Sequence, residues 1–310
     1  LQILGWLMLA VSGFWVALVA SRGVAAHANS LVQATRLSPF VVGMVVLAIG
    51  TDVPEIVNSI VTSAAGHGDL NVGDSIGSTL TQMTLVLGIL PFLTRTMEIQ
   101  RRAVVAIGGL TALAVLVGVV LVGDGGLGRM DGLILVVGWL VAIWAINRAD
   151  VWWSPALPEA PHGRRIMHGL ATFGFLLIVA LGSVASVAAM IEIAEILAVP
   201  EYIISFFGAS IGTSMPELIV DITAIRSGAM ALAVGDILGS SLVDATLSIG
   251  IGPSFFPTPI DAEAAVIGGL YTAVAVGMVT VLLSTTRRHG RLTGTALIAI
   301  YLLSYVVILR

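Results

Sequence analysis

Cysteine and lysine are absent from the 310 residues, and charged side chains make up only 10% of them. Without cysteine there are no disulfides, no thiolate metal sites and no thiol catalysis, and the redox compartment cannot be read. Without lysine, arginine is the one basic residue type. With 14 basic and 18 acidic residues the formal charge is −4, the wrong sign for a nucleic-acid partner. The scarcity of charge excludes most. Soluble domains carry about 25% charged residues, and a chain this poor in charge cannot cover a surface facing water. With 57% hydrophobic residues and a mean hydropathy of +1.05, its solvent is lipid. The first apolar run has no basic leader or small-residue cleavage site, so it is read as a membrane segment and not as a signal peptide.

About 20 mainly apolar residues span a bilayer core, and the chain holds about ten such stretches. Six are clean: 2–21, 103–123, 132–147, 166–198, 262–284 and 293–309. Four more, within 38–65, 70–94, 202–225 and 229–256, are interrupted by Gly, Pro and acids. If the N-terminus is outside, 12 arginines fall on inner loops and 2, Arg129 and Arg310, fall outside. The positive-inside rule therefore predicts both termini outside. The longest polar stretch, 148–165, contains Trp152, Trp153 and three prolines. It reads as a cytoplasmic linker between a first half, 1–147, and a second, 166–310.

The halves repeat each other. Residues 48–56 (AIGTDVPEI) recur at 210–218 (SIGTSMPEL), and 72–88 recur at 234–250, both at an offset of 162. Without a gap, 17 of the 40 positions from 49 to 88 are identical to their counterparts, far more than shared apolarity supplies. Five helices per half is an odd number, so the second copy must enter from the opposite face. The predicted fold is all-α, about ten transmembrane helices in two inverted five-helix repeats. Secondary transporters commonly build midplane sites in this way, from interrupted helices facing each other.

The repeats carry the polar residues. Glu55 and Glu217 each follow Gly-Thr-x-x-Pro, where Gly and Pro break the helical ladder and free carbonyls. A carboxylate beside freed carbonyls and hydroxyls suits a hard cation, and acids inside a membrane are functional by default. The competing reading is a pair of protonated acids that lock helices together. Ser78 with Gln82 and Ser240 with Asp244 are spaced by four, which puts each pair on one helical face. Thr51 and Thr213 add hydroxyls at the breaks, with Asp52 and Ser214 in equivalent places beside them. Gly50, Gly77, Gly212 and Gly239 serve close packing or the site. Asp74 and Asp236 are read as starting the third and eighth helices, either capping them or receiving ions. His67, Asp69, Asp124, Asp131, Asp261 and Glu263 are read as solvated charge near the outer surface. His27, His162, His168 and His289 are read as inner-loop residues. Glu192 and Glu195 lie near the outer end of the sixth helix.

Gly-Thr-x-x-Pro-Glu in each half, followed by Gly-Asp-x-x-Gly-Ser, resembles the two conserved repeats of the cation/calcium antiporter superfamily, most closely its prokaryotic sodium/calcium exchangers. The resemblance implies that the first and sixth helices slide against the other eight. It implies ion ligands at Glu55, Glu217, Asp244, Ser78, Ser240, Thr51, Thr213 and Ser214, with carbonyls near Ala48 and Ser210 joining sodium sites. It implies Na⁺ and Ca²⁺ as transported ions, with no cofactor and no enzymatic activity. Three residues depart from the family pattern: Asp52 where a small residue is usual, Gln82 where Asn or Asp is usual, and Thr79 in place of a common Asn. Asp52 would make a fourth acid in the site, able to carry a proton or to favour Mg²⁺. The expectation is a monomeric Na⁺/Ca²⁺ antiporter in a prokaryotic plasma membrane, embedded in lipid and without nucleic acid. A proton-coupled divalent exchanger is the alternative. A channel is disfavoured because the acids sit in inverted copies within one chain, and an enzyme because no His or asymmetric acid–base pair lies within the motifs.

Overall fold

The computed structural model describes residues 2–34, 39–94, 96–148 and 165–310. The inter-repeat linker, with Trp152, Trp153 and His162, lies outside the described residues between Arg148 and Arg165. Among the described residues, nine helices are long and apolar enough to cross a bilayer. A bent pair, Val42–Thr51 and Val53–Ala65, meets at 42° and makes a tenth crossing. The first span is Gln2–Ala34 and the bent pair is the second. The third to fifth are Gly68–Leu93, Arg101–Val122 and Arg129–Arg148, and the sixth is Arg165–Ile196. The seventh to tenth are Glu201–Arg226, Met230–Phe255, Ala262–Thr285 and Arg291–Ile308. The first and sixth helices run past the length of the hydrocarbon core. For that reason His27 and His168, expected in loops, sit on these helices with their Nδ1 atoms 3.1 Å apart.

The offset of 162 is written into the backbone. The second span makes a wide π-helical turn at Val42–Leu47 and one α-turn at Ala48–Thr51. It breaks at Asp52 (φ −81°, ψ 6°) and resumes as Val53–Ala65. The seventh repeats this with Ile204–Ala209, Ser210–Thr213, a break at Ser214 (φ −78°, ψ −1°) and Met215–Arg226. Proline causes both breaks. Pro54 and Pro216 lack an N–H, and each falls in the first turn of a new helix, where that donor has no partner to lose. The third and eighth spans carry matching π-helical turns at Thr81–Val86 and Asp244–Ser248.

Four two-residue strands establish the inversion. They are β1 (Met97–Glu98), β2 (Gly126–Leu127), β3 (Thr258–Pro259) and β4 (Arg288–His289). β1 pairs with β4 and β2 with β3, both antiparallel. β1 and β2 lie at opposite ends of the fourth span. The repeat image of β1 is β3, which lies beside β2 and so at the other end of the molecule. The end holding β2 and β3 also joins His67 to Glu201 at 3.0 Å and Asp69 to the Asp261 N–H at 2.7 Å. Asp261 in turn caps the ninth span through the N–H groups of Glu263 and Ala264. These polar residues hold loops and a helix end together.

Glycines let the spans cross closely. A Cβ on Gly77 would lie 2.2 Å from the Phe206 carbonyl oxygen, and one on Gly239 would lie 2.3 Å from that of Met44. The third span is thus seated against the seventh and the eighth against the second by the same device, as expected of small residues in membranes. This crossing brings the two breaks to the centre of the molecule.

Candidate cation site

Each break faces a serine of the opposite repeat. The Thr51 and Ser240 hydroxyls are 3.4 Å apart, and those of Ser78 and Thr213 are 3.1 Å apart. These are the same pair taken twice, once from each end. Thr51 also donates to the carbonyls of Leu47 and Ala48, at 3.1 and 3.3 Å. Thr213 does so to Ala209 and Ser210, at 3.2 and 3.3 Å. The hydroxyls therefore lie next to the carbonyls of Ala48 and Ser210. Ser214 is buried at its break, with no partner for its hydroxyl.

Four carboxylates enter this space. Asp52, Glu55 and Asp244 each offer an oxygen within 4.8 Å of the others, a spacing that one cation can bridge. Glu217, from the opposite break, reaches the Asp52 carboxyl. All four are at most 1% exposed, and none of their eight oxygens has a hydrogen-bond donor. The ion pairs among the described residues, His67 with Glu201 and Glu98 with Arg288, involve none of them. Each uncompensated buried charge costs several kcal/mol, about what truncating one partner of a buried pair costs. Such a group is stable only with positive charge supplied from outside, as ions or protons. Gln82 stands to one side: its Oε1 accepts from the Ser241 hydroxyl at 3.1 Å, and its amide nitrogen has no acceptor.

Asp74 and Asp236 do not cap helices. Their helices begin earlier, at Gly68 and Met230, which places both acids within a span. Asp74 accepts from Asn58 Nδ2 at 2.7 Å and from the Thr213 hydroxyl at 3.0 Å. Asn58 is a polar partner that sequence reasoning passed over. Its signal is an amide one helical turn from Glu55 within an apolar run. Asp236 instead meets Asp221 of the seventh span. A cavity of about 250 Å³ between the second and sixth spans is lined by Pro54, Asn58, Val61, Val184, Ala188 and Thr213, among others. It connects the Asn58–Asp74 cluster to the flank of the sixth helix.

The family profile described as "Sodium/calcium exchanger protein" matches residues 4–146 and 168–310. The chain belongs to the sodium/calcium exchanger family. The chain is 30% identical over 250 residues to the inner membrane protein YrbG of Escherichia coli (strain K12), covering 76% of this chain and 75% of YrbG. It is 28% identical over 280 residues to the putative antiporter CaxA of Alkalimonas amylolytica, covering 86% and 84%. Its fold matches the sodium-calcium exchanger NCX_Mj soaked with 2.5 mM Na⁺ and 1 mM Sr²⁺, with a TM-score of 0.77 at 22% identity, over 99% and 98% of the two chains. The fold and the family are those of membrane-embedded ion exchangers and not of enzymes.

Proposed function

We propose that the chain is a secondary active antiporter that exchanges Na⁺ for Ca²⁺ by alternating access, through a single central site. The observation that carries this reading is the meeting of Asp52, Glu55 and Asp244 within 4.8 Å, fully buried and with no cationic partner. Glu217 is the fourth carboxylate. Ser78, Ser240, Thr51, Thr213 and Ser214 supply neutral oxygens, Gln82 borders the site, and carbonyls at Ala48 and Ser210 serve Na⁺. One Ca²⁺, or several Na⁺, would neutralise the same acids, as hard cations with oxygen ligands do. Carried empty through an apolar barrier, the cluster would bear the full desolvation cost of its charges. The core therefore changes face only when loaded, and that requirement couples the two fluxes. The first and sixth spans are the elements that would slide across the breaks.

The arginine bias supports an orientation in which both termini and the β2–β3 end face outside, in a prokaryotic plasma membrane. The two halves, 1–147 and 166–310, would act as a unit within one monomer. One observation favours a second reading. Asp52 contacts Glu217, and clustered carboxylates readily share a proton. On that reading H⁺, not Na⁺, drives a divalent ion, either Ca²⁺ or Mg²⁺.

Calcium-45 uptake into proteoliposomes with an outward Na⁺ gradient, an outward H⁺ gradient or neither decides between them. Uptake with the Na⁺ gradient alone is expected. Uptake with protons alone would replace it with the second reading. No uptake in any arm would remove Ca²⁺ as cargo and make Mg²⁺ flux the next measurement.

A further inference from the structure

Two more buried acids lie outside the central cluster. Asp221 is one helical turn beyond Glu217 on the seventh span, on the same face, and Asp236 is on the eighth. Both are 0% exposed, their carboxyl groups lie side by side, and none of their four oxygens has a donor. The repeat symmetry shows how a protein can satisfy such a place. In the first copy Asp74 stands where Asp236 does, and it takes hydrogen bonds from Asn58 and Thr213. Ser59 stands where Asp221 does, and it accepts from the Gly252 N–H at 3.0 Å. The second copy has exchanged both solutions for a bare pair of acids.

A single shared proton would leave one negative charge and two of the four oxygens unsatisfied, with Glu217 facing the pair from one turn away. A cation held between the two carboxylates neutralises both. We infer that Asp221 and Asp236 form a second cation-binding site, between the central carboxylates and the Arg226 end of the seventh span. It takes a hard cation, completed by water, and serves as a waiting position on one side only. Arg226 itself is exposed at that end and makes no ion pair among the described residues.

The inference rests on the exchanger reading only for the ion's destination, and its test separates the two. Purified full-length protein is titrated with Mn²⁺, and bound ions are counted by electron paramagnetic resonance. Asp221→Asn and Asp236→Asn should each bind one ion fewer than the parent, and Glu55→Gln should lose a different one, so that Glu55→Gln combined with Asp221→Asn loses both. Equal counts in the parent and both Asp variants would overturn the second site and leave a proton-sharing pair. Loss of every ion in Glu55→Gln alone would overturn it as well. An unchanged count in Glu55→Gln, with one ion lost in the Asp variants, would sink the central reading and keep this one. Should an Asn variant fail to fold, Asp221→Ser puts the residue type of the first copy in its place and is counted in the same way.

Discussion

The two repeats share a backbone but not an exposed face. In the first, Val57 and Val61 beyond the break are 41% and 59% exposed, and Asn58 between them is half-buried. At the matching positions of the second, Ile219 and Thr223 are half-buried and Val220 is fully buried. The long helices account for the difference. Gln2–Ala34 packs along Met215–Arg226, while Arg165–Ile196 stands off Val53–Ala65 and leaves the cavity that reaches Asn58 and Thr213. One motif thus adopts two packings against one kind of partner, one open and one closed. A device that exchanges those two packings between the copies opens each side in turn, and the inverted repeat supplies both as states of comparable energy.

The largest expected effect tests whether the copies are equal partners at the centre. Glu55→Gln and Glu217→Gln should each lower exchange by roughly a hundredfold or more, from a loss on the order of 3 kcal/mol for one charged ligand. Proteoliposome flux measures this, with circular dichroism as the check on folding. Transport retained in either variant would break the symmetry of roles. Asp52→Ser gives the first break the same small hydroxyl type that the second has at Ser214. It should cost at most about tenfold in divalent affinity and should change the driving ion or the pH dependence of uptake. A variant matching its parent in both would show that Asp52 adds nothing to the coupling.

Much of this was legible in the sequence because the membrane narrows the choices. Twenty apolar residues per crossing and an ungapped repeat specify the ten spans and their inversion. The Gly-Thr-x-x-Pro-Glu motif located both breaks, since Gly and Pro together interrupt the helical ladder. Reading failed where protein, and not lipid, surrounds a helix. Residues 68–75 are polar and glycine-rich, so Asp74 reads as the start of the third helix and not as a residue inside it. They nevertheless form the start of the third span, because their polar groups are met by Asn58, Ser205 and the Asp261 backbone. Asp236 likewise reads as the start of the eighth helix, which in fact begins at Met230, and its meeting with Asp221 stays out of sight. Which acids converge was legible only through the resemblance, which implies Glu55, Glu217 and Asp244 as ligands with Asp52 as a fourth acid, and not through spacing. Asp52 and Asp244 come from opposite repeats, and it is the glycine crossings of the spans that bring them together.

The open and closed packings can be probed directly, because the chain has no cysteine of its own. Val61→Cys should react roughly tenfold faster with a membrane-impermeant methanethiosulfonate than its image Thr223→Cys, since access governs the rates of otherwise similar thiols. Equal rates would mean that the closed packing is not the resting arrangement of the second repeat. Saturating the central site should narrow the gap if loading frees the first and sixth spans to move.

The smallest effects concern the two-stranded sheets at the ends, which are repeat images held by different chemistry. Arg288 and Glu98 form an ion pair at 2.8 Å across β1 and β4, with side chains 76% and 55% exposed. At the image of Glu98, beside β3, stands Ile260, 7% exposed, with its N–H bonded to the Gly125 carbonyl at 3.0 Å. An exposed ion pair contributes about 0–1 kcal/mol, whereas removing a buried isoleucine side chain costs about 2–5 kcal/mol. Arg288→Ala should therefore barely move the thermal midpoint in detergent, and Ile260→Ala should lower it by several degrees. The reverse order would mean that the β1–β4 end is anchored through charge after all, and that the two ends of the molecule differ in stability as well as in exposure.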